Sequence, residues 1–185
     1  MLPPDIDISN EMVADAWRSF VETSRLDAIA AARIDPAVVR SWQRCIYRFN
    51  PLARLRPSPV GRNAFSSILR GQQDLITVAM PFIEDIYQFT EGSSYAIVLA
   101  DGAGCILLVE GDPAAVEHAA GLGFVQGAYW SENTAGTNAL GLVLLEAMPI
   151  QIVGAEHYFE FMHHTVTAAA PIHDVRGRII GLLGM

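Results

Sequence analysis

Apolar residues along this 185-residue chain recur first at helical spacing and then at strand spacing. Met12, Val13, Ala16, Trp17, Phe20 and Val21 fall on one helical face, which predicts a helix over residues 10–31. Arg18, Glu22 and Arg25 lie elsewhere on that wheel. Asp35 followed by Pro36 is a helix start, a capping carboxylate ahead of a proline in the first turn. The helix it opens turns Val38, Val39, Trp42, Cys45 and Ile46 inward. Pro51, Pro57 and Pro59 then mark an irregular linker that also carries Arg54 and Arg56. From Arg62 a helical stripe resumes through Phe65, Ile68, Leu69, Leu75, Ile76 and Ala79. Pro81 should break or kink it before Phe82, Ile83, Ile86 and Tyr87 extend the stripe, because proline removes a donor and crowds the preceding turn.

The period then changes. Two apolar runs, residues 95–100 and 105–109, flank Asp101, Gly102, Ala103 and Gly104 and predict a β-hairpin. Asp112 and Pro113 start a short helix over residues 114–120, and Gly121, Gly123 and Gly127 make the next stretch a loop. Asn133 or Thr134 is expected to cap a helix running to Ala147, with Leu140, Val143 and Leu144 on its inner side. Residues 149–153 alternate like a half-buried strand, residues 156–162 are aromatic and short, and two strands close the chain around Asp174 and Gly177. The order describes an α+β fold, an antiparallel sheet flanked by helices with an N-terminal helical extension. We divide it into residues 1–60, helical segment and linker, and residues 61–185, the main body. The last strand stops at Gly184 and Met185, so the parent protein is expected to continue.

Composition narrows the class. Hydrophobic residues make up 51% of the chain, enough for a packed core, and no apolar run approaches the ~18 residues of a membrane span. The N-terminus lacks the basic start and apolar middle of a leader, so a cytoplasmic location is expected. Cys45 and Cys105 have no CxxC spacing and are expected to be idle thiols. All 12 basic residues are arginine, and the formal charge is -8. Ten arginines lie between Arg18 and Arg70, whereas residues 71–175 hold none against 13 acids. Residues 71–175 therefore have nothing with which to neutralise phosphates, and direct nucleic-acid binding through them is not expected. The arginine-rich stretch reads as a solvated helical face or as a docking surface.

Five motifs occur in order. They are Ser41-Trp42-Gln43-Arg44-Cys45; Leu99-Ala100-Asp101 with Gly102 and Gly104; Trp130-Ser131-Glu132 followed by Gly136-Thr137-Asn138-Ala139-Leu140-Gly141; Gly154-Ala155-Glu156-His157-Tyr158; and Ala170-Pro171-Ile172-His173-Asp174 with Gly177 and Gly181. Over about 150 residues this set resembles the GAF sensory domain of sigma-54-dependent transcriptional activators of the acetoin and dihydroxyacetone regulator type. The resemblance implies a six-stranded antiparallel sheet, an effector pocket between sheet and helices, and a downstream AAA+ ATPase with a DNA-binding domain. Family members that reduce methionine sulfoxide need a cysteine set which two distant thiols cannot supply.

Candidate ligand-binding residues are the aromatics Phe124, Tyr129, Trp130, Tyr158 and Phe159, with Glu132, Asn138 and His157 as polar anchors, since binding pockets are largely apolar with a few polar groups. The aromatics fit an ordinary core equally well, and Gly136, Asn138 and Gly141 fit a helix start packed closely on the sheet. The five histidines show no HExxH or other ligating spacing, so no metal or cofactor is expected. Neither a GxSxG elbow nor a nucleophilic cysteine context is present, so the chain is not read as an enzyme. The expected role is a domain that senses a small neutral organic effector, because a phosphate buried among these residues would have no cation. A ligand-free dimerisation or docking module, or a haem or redox sensor, is the alternative. The stripe of Trp17 and Phe20 has no evident core of its own, which predicts a homodimer.

Overall fold

A computed structural model describes the backbone of residues 4–185 and the side chains of residues 11–185. Residues 1–3, part of the segment that lacks a leader pattern, lie outside the described residues. The first helix, α1, spans Pro4–Thr23 and stops at Ser24, whose φ of 55° leaves the helical region. The expected helix over residues 10–31 is thus two: α2, Ala28–Ala31, is separate and capped by Asp27, which accepts from the backbone N–H of Ile29 and Ala30. Helix α3, Pro36–Cys45, begins as read, with the Asp35 carboxylate accepting from Ala37 N–H at 2.7 Å.

The next stripe also divides. Helix α4, Arg62–Gly71, gives way at Gln72 to α5, Gln73–Thr90. Pro81 neither breaks nor ends α5. Its ring is on the exposed side, where water can take the carbonyl that its missing N–H leaves free.

Five strands follow: β1 Ala96–Asp101, β2 Ile106–Gly111, β3 Ile150–Val153, β4 Val166–His173 and β5 Ile179–Gly184. They form one antiparallel sheet in the order β2-β1-β5-β4-β3. The sixth strand implied by the resemblance is reduced, among the described residues, to a single bridge between Cys105 and Tyr129 beside β2. Both hairpin turns are held by an aspartate. Asp101 accepts from the N–H of Ala103 and Cys105, and Asp174 accepts from those of Arg176 and Arg178.

The sheet divides the core by alternation. Ile97 and Leu99 of β1 and Leu107 of β2 meet Leu75, Ala79 and Ile83 of α5 on one face. Val98, Ala100, Ile106 and Leu182 point to the other. There they join helix α6, Pro113–Leu122, and α8, Ala139–Glu146, together with Val38 and Trp42 of α3 and Trp17 and Phe20 of α1. Asp112 starts α6 but makes no capping bond. Its carboxylate instead accepts from the Tyr87 hydroxyl at 3.0 Å and Gly92 N–H at 2.7 Å, fastening the end of α5.

The stripe on α1 is therefore spent inside the molecule, not on a second copy. Trp17 is 3% and Phe20 2% exposed, and the Trp17 indole donates to Tyr158 C=O at 3.0 Å. The argument from this stripe to a homodimer fails, because its partner surface is supplied by the same chain. Truncating a buried tryptophan costs about 3–5 kcal/mol. Trp17→Ala should therefore lower stability by that amount in urea titration, in a single transition seen equally by far- and near-ultraviolet dichroism. A loss below about 1 kcal/mol would mean that α1 is an appendage.

Candidate functional site

The helix over residues 133–147 expected from sequence begins later than read. A short helical turn, α7, spans Glu132–Ala135, the chain reverses at Gly136, and α8 starts after Asn138. Asn138 is the cap: its Oδ1 accepts from Gly141 N–H at 2.9 Å and its Nδ2 donates to Gly136 C=O at 2.8 Å. Gly141 is required by α7, not by the sheet. A Cβ there would lie 2.6 Å from the backbone N of Glu132.

Glu132 is 9% exposed and fully engaged. Arg44 grips it through Nε and Nη2, both at 2.7 Å, and Ser41 Oγ donates to Oε2 at 2.6 Å. Ser41 also bonds Thr137 at 2.8 Å. The carboxylate raises the Arg44 pKa further, first through the hydrogen bond and then through its charge. Two more arginines, four residues before and four after, reach the same body: Arg40 pairs with Glu146 at 2.8 Å and Arg48 donates to Asn133. Arg40, Arg44 and Arg48 are thus a clamp from the α3 segment onto α7 and α8, with part of each side chain left in solvent. Arg44 is 41% exposed, so the central pair is worth on the order of 2 kcal/mol, less than a fully buried one.

Between α6, the start of α8 and strands β1 and β4 lies a cavity of about 320 Å³. Val98, Leu122, Phe124, Leu140 and Val166 make its apolar wall. Ser93, His118, Asn138, His164, Thr165 and Thr167 bring polar groups to it. No Asp, Glu or Arg is among the described residues that line it. The size and the mixture suit a small organic molecule, and the lack of charge disfavours a strongly ionic one.

Of the residues singled out from sequence, Phe124 and Asn138 line this cavity. The other six do not. Trp130 stacks under Phe124 at 3.6 Å and donates its indole N–H to Gly123 C=O, so it backs the wall. Tyr129 sits on the bridge to Cys105. Glu132 belongs to the clamp. Tyr158 is buried with its hydroxyl on Phe49 C=O, and Phe159 packs edge-on against Phe49 and Tyr158. Aromatic size marked these residues out, but their burial serves the core around α1 and α3. His118, Ser93, His164, Thr165 and Thr167 carry no motif spacing that marks a site, and they lie on segments that only the fold brings together.

His157 stands one bond behind the cavity. Its ring is buried between Gly154 C=O at 2.9 Å and Thr167 Oγ1 at 3.0 Å. Since a carbonyl only accepts, Nδ1 carries the proton and Nε2 accepts from the threonine. Burial brings the His157 pKa down to about 4. Both cysteines are free and buried, and burial pushes each thiol up to about 11, which leaves little thiolate at neutral pH. No helix among the described residues is long and apolar enough to cross a membrane.

The low His157 value has a consequence for stability. Between pH 6.5 and about 4 the unfolded chain takes up a proton that folded His157 refuses, so stability falls as pH falls through that window. The full effect is about 3 kcal/mol, and burial lowers His163 in the same sense. The urea midpoint should drop between pH 7 and 4.5, and His157→Gln should flatten that slope. An equally steep slope in the variant would place the loss in other groups.

Comparison with known proteins places this geometry. The model of the GAF domain family matches residues 74–185. The acetoin dehydrogenase operon transcriptional activator AcoR of Bacillus subtilis is 31% identical over 168 residues, 90% of this chain and 27% of that protein. The glycerol metabolism operon regulatory protein of Citrobacter freundii is 30% identical over 82% of this chain and 24% of its own length. The chain thus spans about a quarter of these relatives. Among solved structures, the E. coli DhaR(N)–DhaL complex contains a chain that superposes with a TM-score of 0.78 at 26% identity, over 81% of this chain and 52% of that one.

Proposed function

We propose, from the premise that this chain belongs to the GAF domain family, that it is the effector-sensing domain of a bacterial sigma-54-dependent transcriptional activator. Its relatives are operon regulators, and the chain is a regulatory domain, not an enzyme. In this reading the effector is a small neutral organic molecule and its site is the cavity beside α6 and α8. Its arrival shifts the population of conformations that a downstream AAA+ domain reads, in a cytoplasmic protein whose sensing part does not itself bind DNA. Residues 61–185 are the sensory body, and residues 1–60 are the segment clamped onto it.

The observation that carries the reading is the chemistry of the cavity wall. It offers hydroxyls, imidazoles and an amide beside aliphatic surface, with no charged side chain among the described lining residues. Such a wall favours compounds that carry both hydroxyl or carbonyl groups and short carbon chains. The names of the relatives mention acetoin, glycerol and dihydroxyacetone, which are of that class. At 100 times its dissociation constant an effector adds about 2.7 kcal/mol, which raises the Tm by roughly 5–10 °C for a domain of this size. A thermal-shift panel of small polyols, ketols and ketones should contain such a compound, and Ala115→Leu, which fills the cavity from α6, should remove its effect. Stabilisation by cyclic mononucleotides alone would overturn the reading.

A homodimer remains part of the reading, on a different surface. Helix α5 leaves Val78, Phe82 and Phe89 exposed at 66%, 62% and 90%, at the helical spacing of one stripe. The double variant Phe82→Glu, Phe89→Glu should shift sedimentation from dimer to monomer at tens of micromolar protein. A wild-type chain that sediments as a monomer there would remove the dimer from the proposal.

A further inference from the structure

The segment that closes the cavity has a second side. His164, Thr165 and Thr167 line the cavity, while the neighbouring His163 stacks edge-on against Trp17 of α1, ring centroids 4.5 Å apart and planes at 83°. His163 Nε2 donates to the carbonyl of His157 at 3.1 Å, and the Trp17 indole donates to the next carbonyl, Tyr158, at 3.0 Å. The ring contact and the indole bond of Trp17 therefore both rest on the backbone of residues 157 and 158, beside the Gly154–Glu156 turn on which α1 also packs. The ring of His157 is tied in turn to Thr167 on the cavity wall.

We propose that the state of the cavity is transmitted to α1 through the series Thr167, His157, His163 and Trp17, a regulatory connection that rests on the cavity being the effector site. The chemistry of Thr167 makes it the sensing member. A threonine hydroxyl has one proton, and here it is committed to Nε2 of His157, which has no proton of its own because Nδ1 donates to Gly154. A ligand acceptor placed against that wall competes for the same proton. If it wins, the buried Nε2 loses its donor, and an unsatisfied buried acceptor is costly enough to move the 157–158 backbone. A ligand hydroxyl can instead donate to a free lone pair of Thr167 and leave the series intact. Carbonyl and hydroxyl effectors of similar size would then bind the same cavity with different consequences at α1. α1 can respond because it is joined onward through Ser24, held in the left-handed region, and not through a continuous helix. It is held on this side by the indole bond and the edge contact just described.

Amide hydrogen exchange reads this without a known ligand. Thr167→Val removes the hydroxyl at constant shape, and α1 amides should exchange about tenfold faster while those of β1 and β2 are unchanged. Thr167→Ser should restore the wild-type rates. Ala115→Gln then places an amide oxygen in the cavity as the occupant's acceptor, and it should change α1 exchange at least about fivefold in the Thr167 chain and less than twofold in the Thr167→Val background, while Ala115→Leu, of similar size without an acceptor, should change it less than twofold in either. Ala119→Asn makes a smaller acceptor-bearing filling from the same helix if Ala115→Gln does not fold. Equal changes in both backgrounds, or Thr167→Val acting uniformly on the whole chain, would overturn the connection. That failure would leave the thermal-shift result standing, whereas a panel with no stabilising compound would reject the effector site and leave the exchange result intact.

Discussion

The bidentate pair of Arg44 and Glu132 is the contact on which the arrangement of this molecule turns. Arg44 comes from a helix that precedes the sheet, and Glu132 from a turn 88 residues later, so the pair closes a long loop. Ser41 and Thr137 complete the coordination of the carboxylate side, leaving no buried side-chain nitrogen or oxygen without a partner among the described residues. With Glu132 fixed, its backbone N meets Gly141 at a distance that admits no Cβ, and the start of α8 is fixed in turn. Asn138 then caps α8 at the wall of the cavity. One ion pair thus sets the N-terminal segment, the helix start and one edge of the binding space together. Because Arg44 is partly solvated, its value lies in geometry more than in raw stability.

The two faces of the sheet carry different burdens. On the α5 face a short aliphatic cluster of Leu75, Ala79, Ile83, Leu99 and Leu107 holds a single helix. On the opposite face a larger cluster takes contributions from α1, α3, α6 and α8 and includes Trp17, Trp42 and Trp130. The cavity occurs on this second face, where small residues such as Ala115, Ala119 and Ala139 stand opposite the strands. Alanines in place of larger aliphatics leave the space that leucines would fill. The same face receives α1, so the helix most remote in sequence from the cavity is near it in space.

Much of the fold was legible from spacing and turn chemistry. The strands, the capping role of Asp35 and the two hairpins follow from periods of two residues and from aspartate and glycine at the turns. A stripe of apolar residues does not say whether a helix is continuous, so α1 and α2, and α4 and α5, were each read as one. Pro81 was read as a break because its exposure was unknown. Asp112 was assigned to the helix beside it, whereas its hydrogen bonds reach back to Tyr87 and Gly92.

The site divides in the same way. The amino-acid order was enough for the family, the α+β class and the absence of cations from residues 71–175, because these depend on local motifs and on composition. It places the cap of α8 at Asn133 or Thr134, whereas the folded chain uses Asn138, because the turn at Gly136 comes first. It could not tell which aromatics face a cavity, since burial in a core and burial around a ligand use the same residues. Nor could it find His118, Thr165 and Thr167, because the histidine of α6 meets the two threonines only when that helix packs on the sheet beside β4. The arginines of α3 show the same limit: their spacing was visible, but Glu146, Glu132 and Asn133 lie about ninety residues away or more, and only the folded chain brings the opposite partners within hydrogen-bond reach.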